Sequence, residues 1–157
     1  MKVSSTSGLC ESKSADIAKK LEVLLADMQI FYTNMRGYHW NVKGPAFYDL
    51  HKAFEAIYTE YAEHIDSVAE RMAQLDYPPT HKFSDYLKLS HLKEEESNVE
   101  GRVMVENVLS VYGHLIKHER EIIAMAEEAK DYVTANLMNS LLDGQEKEVW
   151  MMTAYMS

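Results

Sequence analysis

A single cysteine, three prolines and six glycines are few for 157 residues, and each scarcity removes a class of protein. With Cys10 alone no intrachain disulfide is possible, which makes a reducing cytoplasm the simplest home. So few glycines and prolines leave too few turn formers for a loop-rich all-β chain. No apolar run approaches the roughly 20 residues that cross a bilayer, so a membrane location is not expected. The opening stretch, MKVSSTSGLCESKSAD, holds no apolar core of a secretory signal. Residues 1–14 read as a flexible N-terminal tail on a single domain spanning 1–157, with Cys10 an incidental thiol within it. Basic charge is also short: 16 Lys and Arg face 25 Asp and Glu, a formal net charge of −9. An acidic body repels nucleic acid and attracts cations, although many soluble proteins share that balance.

What the chain does have is helical periodicity. Ile17, Leu21, Leu24, Leu25, Met28, Phe31, Tyr32 and Met35 recur in steps of three and four. This predicts one helix from Ile17 to near His39. After Gly44-Pro45 a second stripe runs from Phe47 through Leu50, Phe54, Ile57, Tyr61, Ile65, Val68 and Met72, and stops before Tyr77-Pro78-Pro79. Ser97-Asn98-Val99-Glu100 reads as a capping box opening a third helix that continues to about Lys130. A fourth runs from about Asp131 through Trp150, with Gly144 a weak point inside it. The long link between the second and third contains a short helical segment, Phe83–Leu89. The expectation is an all-α fold: a ferritin-like four-helix bundle with a short extra helix in the link between helices two and three.

The chemistry sits on the second helix. His51, Glu55, Asp66 and Glu70 share one flank, roughly 125° round from the centre of the apolar stripe. Imidazole and carboxylate suit iron or zinc rather than soft metals. Each pair is spaced i, i+4 and stacks one turn apart. His51 and Asp66 lie about 22 Å apart along the axis, so one chain cannot bring both pairs to one ion. A second copy related by a twofold axis near residue 60 would lay His51 and Glu55 against the partner's Asp66 and Glu70, twice over. A solvated helix face with two ordinary i, i+4 pairs is the plain alternative.

The order of residues from His39 to Arg71 goes further. His39-Trp40-Asn41-Val42-Lys43-Gly44 is followed by Leu50-His51 and Glu55, then by Ile65-Asp66-Ser67-Val68-Ala69-Glu70-Arg71. These segments resemble those of the starvation-induced DNA-protecting miniferritins, the Dps family, and the similarity covers the whole chain. The resemblance implies a ferroxidase site at a twofold interface, with His39, His51 and Glu55 from one subunit and Asp66 and Glu70 from its partner. Glu55 stands where the family often has Asp. The resemblance further implies a twelve-subunit homo-oligomer that binds Fe(II), oxidises it with hydrogen peroxide and stores ferric mineral. Trp40 beside His39 is either a sink for stray oxidising equivalents or an interface packing residue. Glu-x-x-His, the ligand motif of larger ferritins, is absent.

Other candidates carry less. His114, His118 and Glu121 share a helix face and could bind a metal, but a face of satisfied or solvated side chains is the expected reading. His64 points off the ligand flank, and Glu94, Glu95 and Glu96 read as a solvated run. By resemblance Asp131 would line an iron-entry pore, with Asn136 close by. Lys2, Lys13, Lys19 and Lys20 are set against Glu11 and Asp16 near the start, so direct DNA binding is expected to be weak. The rival classes are a DNA-compacting architectural protein with minor iron chemistry, and a shell used as scaffold or surface ligand.

Overall fold

The computed structural model describes residues 2–157. Among them are six helices and no strand: α1 (Val3–Ser7), α2 (Glu11–Asn41), α3 (Phe47–Gln74), α4 (Phe83–Leu89), α5 (Gly101–Glu128) and α6 (Tyr132–Met156). The four long helices α2, α3, α5 and α6 form the bundle. Its interior is filled by the expected stripes, including Leu21, Leu25, Met28 and Phe31 of α2 and Phe54, Ile57, Tyr61 and Met72 of α3. Phe31 meets Tyr61 edge to face at 4.8 Å and Tyr112 at 5.5 Å, so aromatic rings from three helices close the centre. Glu119 and Gln145 are buried beside them, joined by a 2.7 Å hydrogen bond. Burial pushes the Glu119 carboxyl up to about 8.

The link between α3 and α5 sets the topology. Gly101, the first residue of α5, lies where a Cβ would stand 2.6 Å from Leu50 Cδ1 and 3.6 Å from Val42. The start of α5 therefore abuts the end of α2 and the start of α3. The link has carried the chain back along the bundle, and α3 and α5 run parallel. At the other pole Lys13 reaches Glu128 at 3.0 Å, and Arg71 reaches Asp131 at 2.7 Å.

Three local expectations change. The α2 helix starts at Glu11, not Ile17, so residues 11–14 of the expected tail are its first turn. The periodicity missed this turn because a serine covers the core there: Ser14 is 3 % exposed. Residues Val3–Ser7 are also helical, and the Val3 N–H donates to Asp76 Oδ1 at 2.9 Å. The capping box does not form. The N-cap of α5 is Glu100, in extended geometry and without a side-chain cap bond. Val99 is packed against the core instead, which keeps residues 97–100 out of the helix. The fourth helix passes through Gly144 unbroken, where a Cβ would come within 3.2 Å of Glu60 Oε1.

Candidate metal centre

The turn between α2 and α3 builds the centre. Val42 N–H closes the last turn of α2 on the Tyr38 carbonyl, and Gly44 takes φ +100°, a conformation open to glycine. Phe47 N–H then returns to the Gly44 carbonyl at 3.0 Å and α3 departs antiparallel. His39 in the last turn of α2 thus faces His51 near the start of α3. Their rings stack with centroids 3.8 Å apart and planes 19° from parallel. Phe47 stacks on the far face of His51 at 5.0 Å, and Tyr58 meets His39 edge-on at 5.3 Å.

The bonds between the two histidines are crossed. Nδ1 of His39 lies 2.8 Å from the His51 carbonyl oxygen, and Nδ1 of His51 lies 2.8 Å from the His39 carbonyl oxygen. A carbonyl only accepts, so each Nδ1 carries a proton, and Nε2 is the ring atom left to face a metal. Backbone anchoring of one ring nitrogen is what orients metal-binding histidines. Ligand atoms of His39, His51 and Glu55 all lie within 4.8 Å of one another. Two imidazole nitrogens and a carboxylate oxygen form a donor set suited to Fe(II) or Zn(II).

Asp66 and Glu70 are not brought to this cluster. Both lie exposed on α3, and eleven residues of helix put Asp66 about 16 Å along the axis from Glu55. The chain holds two half-sets on one flank. Large apolar side chains stand uncovered near the first: Trp40 is 63 % exposed and Tyr48 76 %. The Arg36 guanidinium lies over the Trp40 ring at 4.7 Å.

Residues 18–157 match the family model of the ferritin-like domain. The DNA protection during starvation protein of Porphyromonas gingivalis is 44 % identical over 154 residues, covering 98 % of this chain and 97 % of that one. The protein of the same name from Helicobacter pylori is 34 % identical, covering 92 % of this chain and 99 % of that one. The chain belongs to the Dps family. The crystal structure of Dps from Vibrio cholerae, described as one of a broad superfamily of ferritin-like diiron-carboxylate proteins, superposes with a TM-score of 0.93. It is 40 % identical and covers 95 % of this chain and 94 % of that one. The ferritin-like bundle expected from the periodicity is thus the Dps fold.

Two expectations about this Dps chain are corrected. Asp131 does not face an opening: it is 2 % exposed, caps α6 by accepting from Thr134 N–H at 3.1 Å, and pairs with Arg71. Its neighbour Thr134 is fully buried, and Arg71 Nε donates to its hydroxyl at 2.8 Å. Nor are His114 and His118 solvated, although His114 is satisfied, as the other half of that expectation had it, by Asp27 Oδ2 at 2.8 Å. They turn inward onto Asp27 of α2, with His118 only 7 % exposed, while Glu121 pairs with Lys20. Asp27 and His91 were absent from the sequence reading. One sign was available: Asp27 sits between Leu24 and Phe31 at a core-facing position of the first stripe, where a lone carboxylate demands partners.

Proposed function

We propose that this protein is a ferroxidase and iron-storage shell whose catalytic centres form between two copies of the chain. The observation that carries the reading is the division of the ligands. His39, His51 and Glu55 are gathered and oriented, while Asp66 and Glu70 stand on the same flank beyond the reach of the same ion. A second copy in antiparallel register along α3 completes two centres at once. The exposed Trp40 and Tyr48 beside the histidine half-set then become contact surface.

In each completed centre His39 and His51 hold Fe(II) through Nε2, and the carboxylates of Glu55, Asp66 and Glu70 neutralise the charge that grows on oxidation. Carboxylate oxygen favours Fe(III) over Fe(II) and so lowers the barrier to electron loss. Two Fe(II) give two electrons to one hydrogen peroxide, which with two protons leaves as two waters; no hydroxyl radical is released. The acidic surface concentrates the incoming cation. Assembly into a closed twelve-subunit shell gives the ferric product a place to collect, and the cytoplasm is where such a shell would protect against peroxide.

Mixing tests the reading. His51→Ala and Asp66→Ala are each expected to be inactive. Unfolded together and refolded, they pair at random, and about half of all dimers are mixed. Each mixed dimer has one intact centre and one lacking both ligands, so about a quarter of wild-type activity returns. Peroxide-driven iron oxidation, followed by absorbance on shells shown to be mixed, measures it. Activity no higher than that of the separately refolded variants would sink the shared centre.

A further inference from the structure

Asp27 has an environment that the proposed ferroxidase centre does not use. It is wholly buried on α2, and its two oxygens are treated differently. Oδ1 accepts the Ser90 hydroxyl at 2.8 Å and the His91 N–H at 2.7 Å, both from the link that returns to α5. This fastens the carboxylate and leaves Oδ2 facing three imidazoles. His114 Nε2 lies 2.8 Å from Oδ2, His91 Nδ1 3.7 Å and His118 Nδ1 3.9 Å. Only the first is a hydrogen bond.

His118 is the decisive member. It is more than nine-tenths buried, and its Nδ1, aimed at the carboxylate, has no hydrogen-bond partner. A buried nitrogen left unsatisfied is costly and calls for an explanation. Ligand atoms of Asp27, His114 and His118 all lie within 4.8 Å of one another. A tetrahedral ion with bonds of about 2.0–2.1 Å holds its ligand atoms about 3.3–3.4 Å apart, and the distances from Oδ2 straddle that value. A solvent-connected pocket of about 140 Å³, bordered by Lys20, Lys117 and Glu121, gives access. Of the two lysines, Lys20 is paired with Glu121 at 3.3 Å.

We propose that Asp27, His114 and His118 form a second metal site in each chain, for Zn²⁺. His91 lies beside the three, its Nδ1 3.7 Å from Asp27 Oδ2, but outside the set whose ligand atoms all approach within 4.8 Å of one another. The donor set is imidazole-rich with one carboxylate, and the site is built within one subunit, in contrast to the divided centre on α3. The Oδ1 bonds to Ser90 and His91 are the outer-shell anchoring that metal-ligating carboxylates use. The ion ties the link to α2 and α5 at the point where the link turns toward the start of α5. This inference does not depend on the shared ferroxidase centre.

The test uses assembled protein carrying His51→Ala and Glu55→Ala, so that the half-set on α3 no longer competes. After chelation and dialysis, calorimetric titration with Zn²⁺ is expected to show one ion per chain. Zn²⁺ should also raise the melting temperature and slow amide exchange at residues 90–92. Adding His114→Ala and His118→Ala is expected to weaken binding at least about 100-fold and abolish both effects. Absence of Zn²⁺ binding by the first protein would overturn the site, as would unchanged binding after loss of both histidines. Should the fourfold variant fail to assemble, X-ray absorption at the zinc edge of the first protein decides. Two or more imidazoles beside one carboxylate support the site, and an oxygen-only shell refutes it.

Discussion

Removing the Asp131 carboxylate would strand the Arg71 guanidinium in the interior, since both side chains are buried and 2.7 Å apart. Breaking such a pair from one side costs about 3–5 kcal/mol. Asp131→Asn keeps an N-cap acceptor for Thr134 N–H, whereas Asp131→Ala also loses the cap, a further loss of about 1 kcal/mol. Denaturant unfolding at fixed protein concentration should rank wild type, Asn and Ala in that order; equal midpoints for the two variants would mean the cap contributes nothing. The pair also sets a pH dependence. Burial raises the Asp131 carboxyl, but hydrogen bonds from Thr134 and the Arg71 guanidinium outweigh it and hold its pKa below the usual value. A folded pKa below the unfolded one means the stabilisation is present in full above the ordinary carboxylate value of about 3.9 and is lost as pH falls through the folded value. The gap between wild type and Asp131→Asn should therefore be constant at neutral pH and narrow under acid below about pH 4. A gap that widens on acidification would contradict the assignment.

The α3 and α5 helices end in the same way. After α5, Lys130 N–H bonds to the Glu127 carbonyl and Asp131 N–H to that of Ala126; after α3, Asp76 and Tyr77 repeat the pattern on Ala73 and Met72. This closing motif needs a left-handed residue just past the cap, normally glycine, yet Lys130 has φ 58° and Asp76 φ 61°. Asp76 is also bonded by the Val3 N–H, so its side chain has a use there. Lys130 gives the cleaner test. Lys130→Gly should stabilise the protein by about 0.5–1 kcal/mol, the strain relieved less the extra freedom of the unfolded chain. A denaturant midpoint that fails to rise would show that the turn bears no strain. At this scale the long helices were legible because apolar spacing is set by burial along each one. The start of α2 was not, because Ser14 fills a core position without an apolar side chain. The capping box was misread: α5 is capped at Glu100 without a side-chain bond, and Val99 packs against the core ahead of it.

His51, Glu55, Asp66 and Glu70 of α3 were readable as two half-sets because helix rise alone separates them. Of the Asp27 cluster only His114 and His118 were readable, because they share α5, whereas Asp27 on α2 and His91 in the link are gathered to them only by the bundle's topology. The charge balance makes a prediction for the assembly. With a formal −9 on every chain, shells should not retain duplex DNA near 0.15 M salt, since binding that rests on phosphate contacts needs a basic surface. Gel shifts across a salt series would show it, and retention at that salt with a steep salt slope would favour the DNA-compacting alternative. The described helices add no membrane-spanning candidate.

The crossed bonds between His39 and His51 bear on how subunits come together. Neither ring can swing away without releasing the other helix's backbone, so the imidazole half of the centre is set by folding, before any encounter. In the proposed shared centre, docking would then have only exposed carboxylates to immobilise, and the entropy cost of ordering would fall on those short arms alone. The same knot makes the first turn of α3 report on its own ligands. A substitution at His51 that cannot donate a proton should loosen the join between α2 and α3, and with it the proposed iron centre. Amide exchange at residues 42–47 is where that loosening would be felt.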